Sequence, residues 1–397
     1  MDVKKQRQSI SAAVTRDPQI RVLEIIGNAS IGGMENYMQN FLGHLNKDQF
    51  SVTCICPYES SFTTSLRQLG VKDVFITPIA DDPRWRSIQL VIEIARLHEI
   101  DVLHAHMPKA HVLAGIAGSL IKKPVVATIH GMDVTSHELG ITRAVGSHII
   151  TNCQESYTQA LAMGISPNRL SLIHNGVDTT IFTPGNTNKE LLNSLNLPEG
   201  TPLVGFVGRL EHEKGPDLFL MAVEYVHYRY PDVHFVIAGE GSMRGELEKI
   251  CKQRRLDQHV HFVGWNTNCA DLYRGLNILV HTSRSDGTSL VLLEAMSCGC
   301  PCVGIGVGGI REIIEHEHTA LLAGQGDWEE VGIRIIELLE EPERAVTMGM
   351  AARAYVQQNF NVEKNTHCTA ELLKKISYVG INGHQFSNNH TLSQKIS

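Results

Sequence analysis

Apolar positions along the chain fall into short runs of strand length, separated by stretches with helical spacing. Residues 20–26, 51–56, 74–79, 102–106, 125–130, 149–153 and 169–174 are such runs. Between them, near 34–45, 62–69, 88–97, 110–121 and 155–163, apolar residues recur every three or four positions. Met34, Tyr37, Met38, Phe41, Leu42 and Leu45 fall on one helical face in this way. Strands alternating with helices predict a parallel sheet covered on both faces. The rhythm breaks over 177–200, where Pro184, Gly185, Pro198 and Gly200 stand among Asn and Thr residues. A hinge is expected at 183–200. The alternation then resumes, with strands at 203–207, 233–238, 260–263, 278–281, 302–305 and 320–322. Helices are expected near 216–228, 243–254, 270–275, 289–296, 310–316 and 328–339, and two more, at 343–359 and 362–376, close the folded part. The pattern predicts an α/β protein of two doubly wound domains, 19–182 and 201–358, followed by a helix at 359–377. Residues 1–18 and 378–397 are polar and read as loose tails.

Composition narrows the class. A chain of 397 residues exceeds what one core comfortably serves. With 43% hydrophobic and 19% charged residues it reads as a globular enzyme, and a net charge of -7 argues against nucleic acid as a partner. No apolar run approaches the roughly 18 residues of a spanning helix, and 1–18 lacks the apolar stretch of a signal peptide, so a cytoplasmic location is expected. Several of the nine cysteines, such as Cys54, Cys56 and Cys302, lie in strand-like runs and read as reduced core residues. Cys298, Cys300 and Cys302 alternate around a Gly-Pro turn, which is not a zinc spacing, and no metal site is expected.

Candidate chemistry concentrates in residues 283–309. An apolar run leads into Ser285-Asp286-Gly287-Thr288-Ser289, a short helical pattern follows from Leu290, and a second strand begins near Pro301. Thr288 and Ser289 suit a helix start and Gly299 a helix stop. The loop therefore sits at the carboxyl end of a parallel sheet, where open α/β sheets bind ligands, and the helix start suits a phosphate. Asp286 and Glu294 flank that anion site and are placed to hold sugar hydroxyls. Arg209 follows the first strand of the second half and Lys214 comes five residues later; the pair reads either as a diphosphate grip or as solvated surface charges. The glycine loop 27–33 joins a strand to a helix and reads as a ligand loop or a tight turn. His130 ends a strand ahead of Gly131, a cleft position that a structural histidine would occupy equally well. His104 and His106 share one face of a strand, and no third ligand is evident from spacing. Residues 304–309 match G-x-G-x-x-G but come too late in the second half for a dinucleotide fingerprint, and no P-loop or nucleophile elbow is present.

Taken in order, Gly32-Gly33-Met34-Glu35, His130-Gly131-Met132-Asp133, His174-Asn175-Gly176-Val177-Asp178, Gly208-Arg209-Leu210 with Lys214-Gly215, Gly239-Glu240-Gly241, the acids Asp286 and Glu294, and Gly308-Gly309 with Glu312 resemble the retaining nucleotide-sugar glycosyltransferases of family 4, over residues 20–376. The resemblance implies the GT-B fold, two Rossmann-like domains across a cleft with the last helix crossing back to the first domain. It implies a sugar moved from a nucleoside-diphosphate donor, UDP by family habit, to a glycan, lipid-linked or small-molecule acceptor, without cofactor or divalent metal. Arg209 and Lys214 would grip the diphosphate, helped by backbone N–H groups at Gly33, Gly287, Thr288, Ser289 and Leu290. Glu294 would take the ribose hydroxyls, Asp286 and His130 the transferred sugar, and Gly239 and Gly241 would line the base pocket. Asp286 departs from the family's usual Glu, which puts donor choice in question. Many members work at the cytoplasmic membrane surface, so peripheral membrane contact is a further implication. A nucleotide-sugar epimerase on the same fold, or a non-catalytic nucleotide-sugar-binding partner, are the alternatives.

Overall fold

In the computed structural model, which describes residues 19–381 apart from 31, 186, 266 and 267, the chain forms two parallel sheets, each flanked by helices. The first contains β1 (Ile20–Ile26), β2 (Phe50–Cys56), β3 (Asp73–Ile76), β4 (Val102–His106), β5 (Val125–Ile129), β6 (His148–Thr151) and β7 (Leu170–Leu172), in the order β3-β2-β1-β4-β5-β6-β7. The second contains β8 (Leu203–Val207), β9 (His234–Ala238), β10 (Val260–Gly264), β11 (Ile278–His281), β12 (Cys302–Ile305) and β13 (Leu321–Ala323), in the order β10-β9-β8-β11-β12-β13. Strands β4, β5 and β12 are buried at every position, as a sheet covered on both faces requires. The order of each sheet reverses once, between β1 and β4 and between β8 and β11, leaving a crevice at the carboxyl ends of those strands. The two crevices face one another.

Three elements depart from the expectations. The helix Ser136–Val145 was not anticipated, although its capping box, Thr135 with Glu138, and Gly146 in the left-handed region at its end are both visible in the sequence. Residues 183–200, expected as a hinge, carry the helix Asn188–Ser194, and that helix docks on the second domain. Leu192 enters the core of that domain, and Asn188 Nδ2 donates to the Gly275 carbonyl at 2.8 Å. The expected strand at 169–174 begins instead as a short 3-10 turn, Pro167–Arg169, and only 170–172 pair with β6.

The chain passes between the domains twice, side by side. Val177 N donates to the Phe360 carbonyl at 2.9 Å, and Val362 N donates to the Val177 carbonyl at 3.1 Å. The final helix, Val362–Ile381, then returns to the first domain, where Ala370 and Leu373 pack with Ile20, Met38 and Phe41. All nine cysteines are reduced thiols. Cys298, Cys300 and Cys302 are buried in the second core, where burial raises the thiols of Cys298 and Cys302.

Candidate active site

A cleft of ≈ 550 Å³ opens between the two sheets. Every residue given a catalytic or donor-binding role from the sequence lines it except Gly241, which packs against the backbone of Leu210 instead. Loops after β1, β5, β8, β9 and β11 build the walls, so the sheet topology itself gathers residues that lie up to 261 positions apart, from Gly33 to Glu294.

Two helices point their N-termini into the cleft. The helix Gly33–His44 starts from Gly32, which has no side chain to cap it, and Gly33 has open space where a side chain would stand. The helix Leu290–Ser297 follows Ser289, whose side chain does not cap it either. Uncapped first-turn N–H groups with the positive end of the dipole behind them favour an anion. On the second domain, Gly239 has φ +152, and a Cβ there would overlap the Gly208 carbonyl. Only glycine lets the loops after β8 and β9 lie against each other, with Arg209 at the rim.

The acids of the second domain differ in their surroundings. Asp286 Oδ2 receives Lys214 Nζ at 2.9 Å, His281 Nε2 at 3.0 Å and Ser283 Oγ at 3.3 Å. Burial would raise this carboxyl, but the Lys214 ammonium and His281 outweigh it and hold the group below the usual carboxylate range. Glu294 is buried under the helix start, and Tyr273 Oη donates to its Oε2 at 2.9 Å. Burial dominates there and pushes Glu294 up to about 7. On the facing wall Glu35 is buried, accepts from Asn28 Nδ2 at 2.9 Å and is raised by burial, with Arg209 across the cleft acting against the rise.

Beneath the first wall lies a buried polar cluster. Glu24, the fifth residue of β1, sits between His104 and His106 of β4, all three fully buried. Their ligand atoms lie within 4.8 Å of one another, so the third group absent from the spacing argument does exist on the neighbouring strand. Each of these atoms is already engaged in a hydrogen bond, which satisfies the cluster without a cation. His106 Nδ1 then reaches His130 Nε2 at 2.9 Å, and His130 lines the cleft, with Tyr37 edge-on at 4.9 Å.

The domains also touch around the site. Asn175 Nδ2 donates to the Thr288 carbonyl at 2.7 Å, Thr288 Oγ1 bonds the Asn152 carbonyl, and Glu312 receives both Gln154 N at 2.7 Å and His174 Nε2 at 2.8 Å. The 304–309 run belongs to this contact: Gly308 lies against Met132 and Gly309 against Cys153 of the first domain, and Gly309 N donates to the Asp286 carbonyl of its own domain at 3.2 Å. Residues that sequence reasoning left without a role include Glu35, Trp265, Tyr273 and His281. His281 had a legible signal, a polar residue closing an apolar strand. Tyr273 had none, because its partner Glu294 stands 21 positions away.

A family model described as Glycosyltransferase Family 4 matches residues 31–181, and one described as Glycosyl transferases group 1 matches residues 187–355. The chain belongs to the group 1 glycosyltransferases of family 4. The glycosyltransferase is 26% identical over 287 residues to N-acetyl-alpha-D-glucosaminyl L-malate synthase of Bacillus anthracis, covering 68% of this chain and 74% of the relative. It is 24% identical over 341 residues to the Escherichia coli UDP-Gal:alpha-D-GlcNAc-diphosphoundecaprenol alpha-1,3-galactosyltransferase, covering 81% and 88%. Among solved structures it superposes on Anabaena HepE in complex with UDP-glucose with a TM-score of 0.80 at 23% identity, over 90% of this chain and all of the other, a likeness that shows the two-domain GT-B fold. Among the described residues no helix is long and apolar enough to cross a membrane.

Proposed function

We propose that the enzyme transfers a hexose-type sugar from a UDP-sugar to an acceptor hydroxyl with retention of configuration and without a divalent metal. The observation that carries this reading is the meeting, in one cleft, of Arg209, Lys214 and two uncapped helix N-termini with Glu294 below them. Such a set matches a nucleoside diphosphate. Arg209, Lys214 and the N–H groups of Gly33, Gly287, Thr288, Ser289 and Leu290 would hold the diphosphate, and Glu294 would accept the ribose hydroxyls. Asp286 and His130 would contact the sugar from opposite walls. Among the described residues all three side-chain bonds to Asp286 fall on Oδ2, so Oδ1 keeps its lone pairs for a sugar hydroxyl.

As the sugar–phosphate bond breaks, negative charge grows on the departing diphosphate. Fixed cations and N–H dipoles stabilise that charge more than the ground state, which lowers the barrier. The acceptor attacks from the face the diphosphate leaves, and the departing phosphate oxygen takes the hydroxyl proton. No protein nucleophile is assigned. The relatives' names, one for malate and one for a lipid-linked GlcNAc, support an acceptor that is either a small hydroxy compound or a membrane-held glycan.

The test supplies labelled UDP-glucose, UDP-galactose and UDP-GlcNAc, each with a panel of both acceptor types. Label moving to a second molecule with release of UDP supports transfer, and the coupling constant of the new anomeric proton reports retention. A donor that equilibrates with its C2 epimer and labels no second molecule overturns it. Excess chelator is expected to leave the rate within about twofold, because Lys214 and Arg209 carry the charge a metal would otherwise supply. A loss that added magnesium restores would contradict this.

A further inference from the structure

The buried cluster under the first wall is more than packing, because its hydrogen bonds run in one direction and end in the cleft. Glu24 Oε2 takes His106 Nε2 at 2.8 Å, and His104 Nδ1 lies 3.0 Å from the same oxygen and 3.2 Å from Oε1. An ionised carboxylate has only lone pairs to offer, so both imidazoles must present N–H to it. Burial raises Glu24, but His104 and His106 outweigh it and bring the group down to about 2, so it is ionised at neutral pH. A neutral His106 that donates from Nε2 has a bare Nδ1. Burial, with His104 alongside, takes His106 down to about 4, and burial lowers His130 as well, so both rings are neutral at pH 7. The 2.9 Å contact between His106 Nδ1 and His130 Nε2 then has a single donor, His130 Nε2–H. That leaves His130 Nδ1 as an acceptor, and among the described residues it has no protein partner.

We infer that Glu24 and His106 are positioning residues that lock His130 in its Nε2–H tautomer, so that Nδ1 presents a lone pair to a hydroxyl of the donor sugar. This rests on the reading of His130 as a sugar contact. The arrangement follows a general rule: the hydrogen bond at one ring nitrogen decides what the other can do. Tyr37 packs edge-on to His130, with ring centres 4.9 Å apart, and its ring centre lies 6.0 Å from that of His106. From the other side His104 gives its Nδ1–H to Glu24, and its Nε2 lies 2.8 Å from Thr128 Oγ1.

The first measurement needs no variant of the cluster. Histidine-selective 15N labelling of the full-length enzyme, with His130→Gln to assign the resonance, reads the tautomer directly. His130 is expected with protonated Nε2 and bare Nδ1 at neutral pH, and the opposite tautomer overturns the inference. Glu24→Gln removes the charge and replaces one acceptor oxygen with an NH2 donor, so the tautomers of His106 and His130 are no longer fixed. The expected result is a His130 resonance shifted toward the Nδ1–H form and kcat lower by about 10- to 100-fold, the range for losing the group that orients a functional imidazole. UDP affinity and donor KM stay within about twofold, because the second domain is untouched. An unchanged His130 resonance and unchanged kcat in Glu24→Gln would sink the proposal, as would His106→Gln with full activity. If His130→Gln itself keeps full kcat, the sugar-contact reading fails while the tautomer result still stands or falls on the spectrum alone.

Discussion

Each wall of the cleft buries a glutamate, and their surroundings drive the two in opposite directions. Glu24, under the first wall, is met by two imidazoles and stays ionised, near 2. Glu294, under the second, is met by one tyrosine hydroxyl, and burial lifts it to about 7. The first charge is used up inside the protein, to fix the histidines above it. The second is left short of donors, and a ligand that brings hydroxyls would supply them. The same division runs through the walls themselves. The first presents a neutral histidine to the cleft, the second presents Arg209 and Lys214. The fixed cations of the second wall suit the diphosphate that gains charge during the reaction, and the neutral His130 of the first suits a sugar that never carries a negative charge.

The largest expected effect removes a cation from the second wall. Lys214→Ala should lower kcat by about 10²- to 10³-fold, the cost of deleting one preorganised donor from a developing anion. Its melting temperature should fall by only a few degrees, because Lys214 is partly exposed and its partner Asp286 keeps His281 and Ser283. Parallel losses of activity and stability would make the residue structural and dissolve the contrast between the walls.

Glu294→Gln comes next. UDP affinity by calorimetry should weaken by about 10- to 100-fold, the scale of charge-assisted hydrogen bonds. Ribose hydroxyls donate best to the ionised form, so wild-type affinity should rise as pH climbs through about 7, with a proton released on binding. The variant should lose both. UDP binding that is independent of pH in the wild type would show that Glu294 does not meet the nucleotide.

The two glutamates also predict opposite stability profiles. Glu24 is held below its ordinary 4.5, so its contribution is present above about 4.5 and is lost as pH falls toward 2. Glu294 is held above 4.5, so its contribution is full below 4.5 and is lost as pH rises through about 7. Glu24→Gln should therefore destabilise most at neutral pH and least in acid. Glu294→Gln should change little near pH 4.5 and raise the melting temperature near pH 8. Both groups are buried, and each effect is on the order of 3 kcal/mol at its maximum. Thermal melts of the three proteins across pH check the signs, and two curves that move together would erase the comparison.

How much of this was legible depends on whether the signal was local. Period and length gave both sheets, because parallel strands buried on both faces are apolar throughout, and β4, β8, β11 and β12 fall where the apolar runs predict. The second wall was legible too, since Asp286, the helix start and Glu294 share one strand-loop-helix unit. On the first wall Gly33 and His130 were legible, but the cluster beneath them was not. Glu24 reads as one polar residue within the apolar strand β1, and its partners stand 80 and 82 positions later on β4, joined only by strand pairing. Residues 183–200 read as a hinge because proline and glycine mark breaks in regular structure, yet they say nothing of what Leu192 packs against. A charge's role was readable where its partner was near in sequence and hidden where the fold supplied the partner.

The smallest effect concerns Asp286. Its Oδ2 is fixed by Lys214, His281 and Ser283 within 3.3 Å, so the extra methylene of Asp286→Glu cannot be absorbed without moving the carboxylate off those partners or further toward the sugar. One hydroxyl contact made or lost is worth about 1 kcal/mol, so the ratio of kcat/KM for UDP-glucose over UDP-galactose should shift by about three- to tenfold, with both donors still used. His130→Gln provides the opposing measurement from the first wall. If Asp286→Glu moves the ratio and His130→Gln lowers both rates alike, the second wall reads the sugar and the first only orients it. If the ratio follows His130 instead, recognition belongs to the histidine wall, and the Lys214–Asp286 pair serves the diphosphate alone.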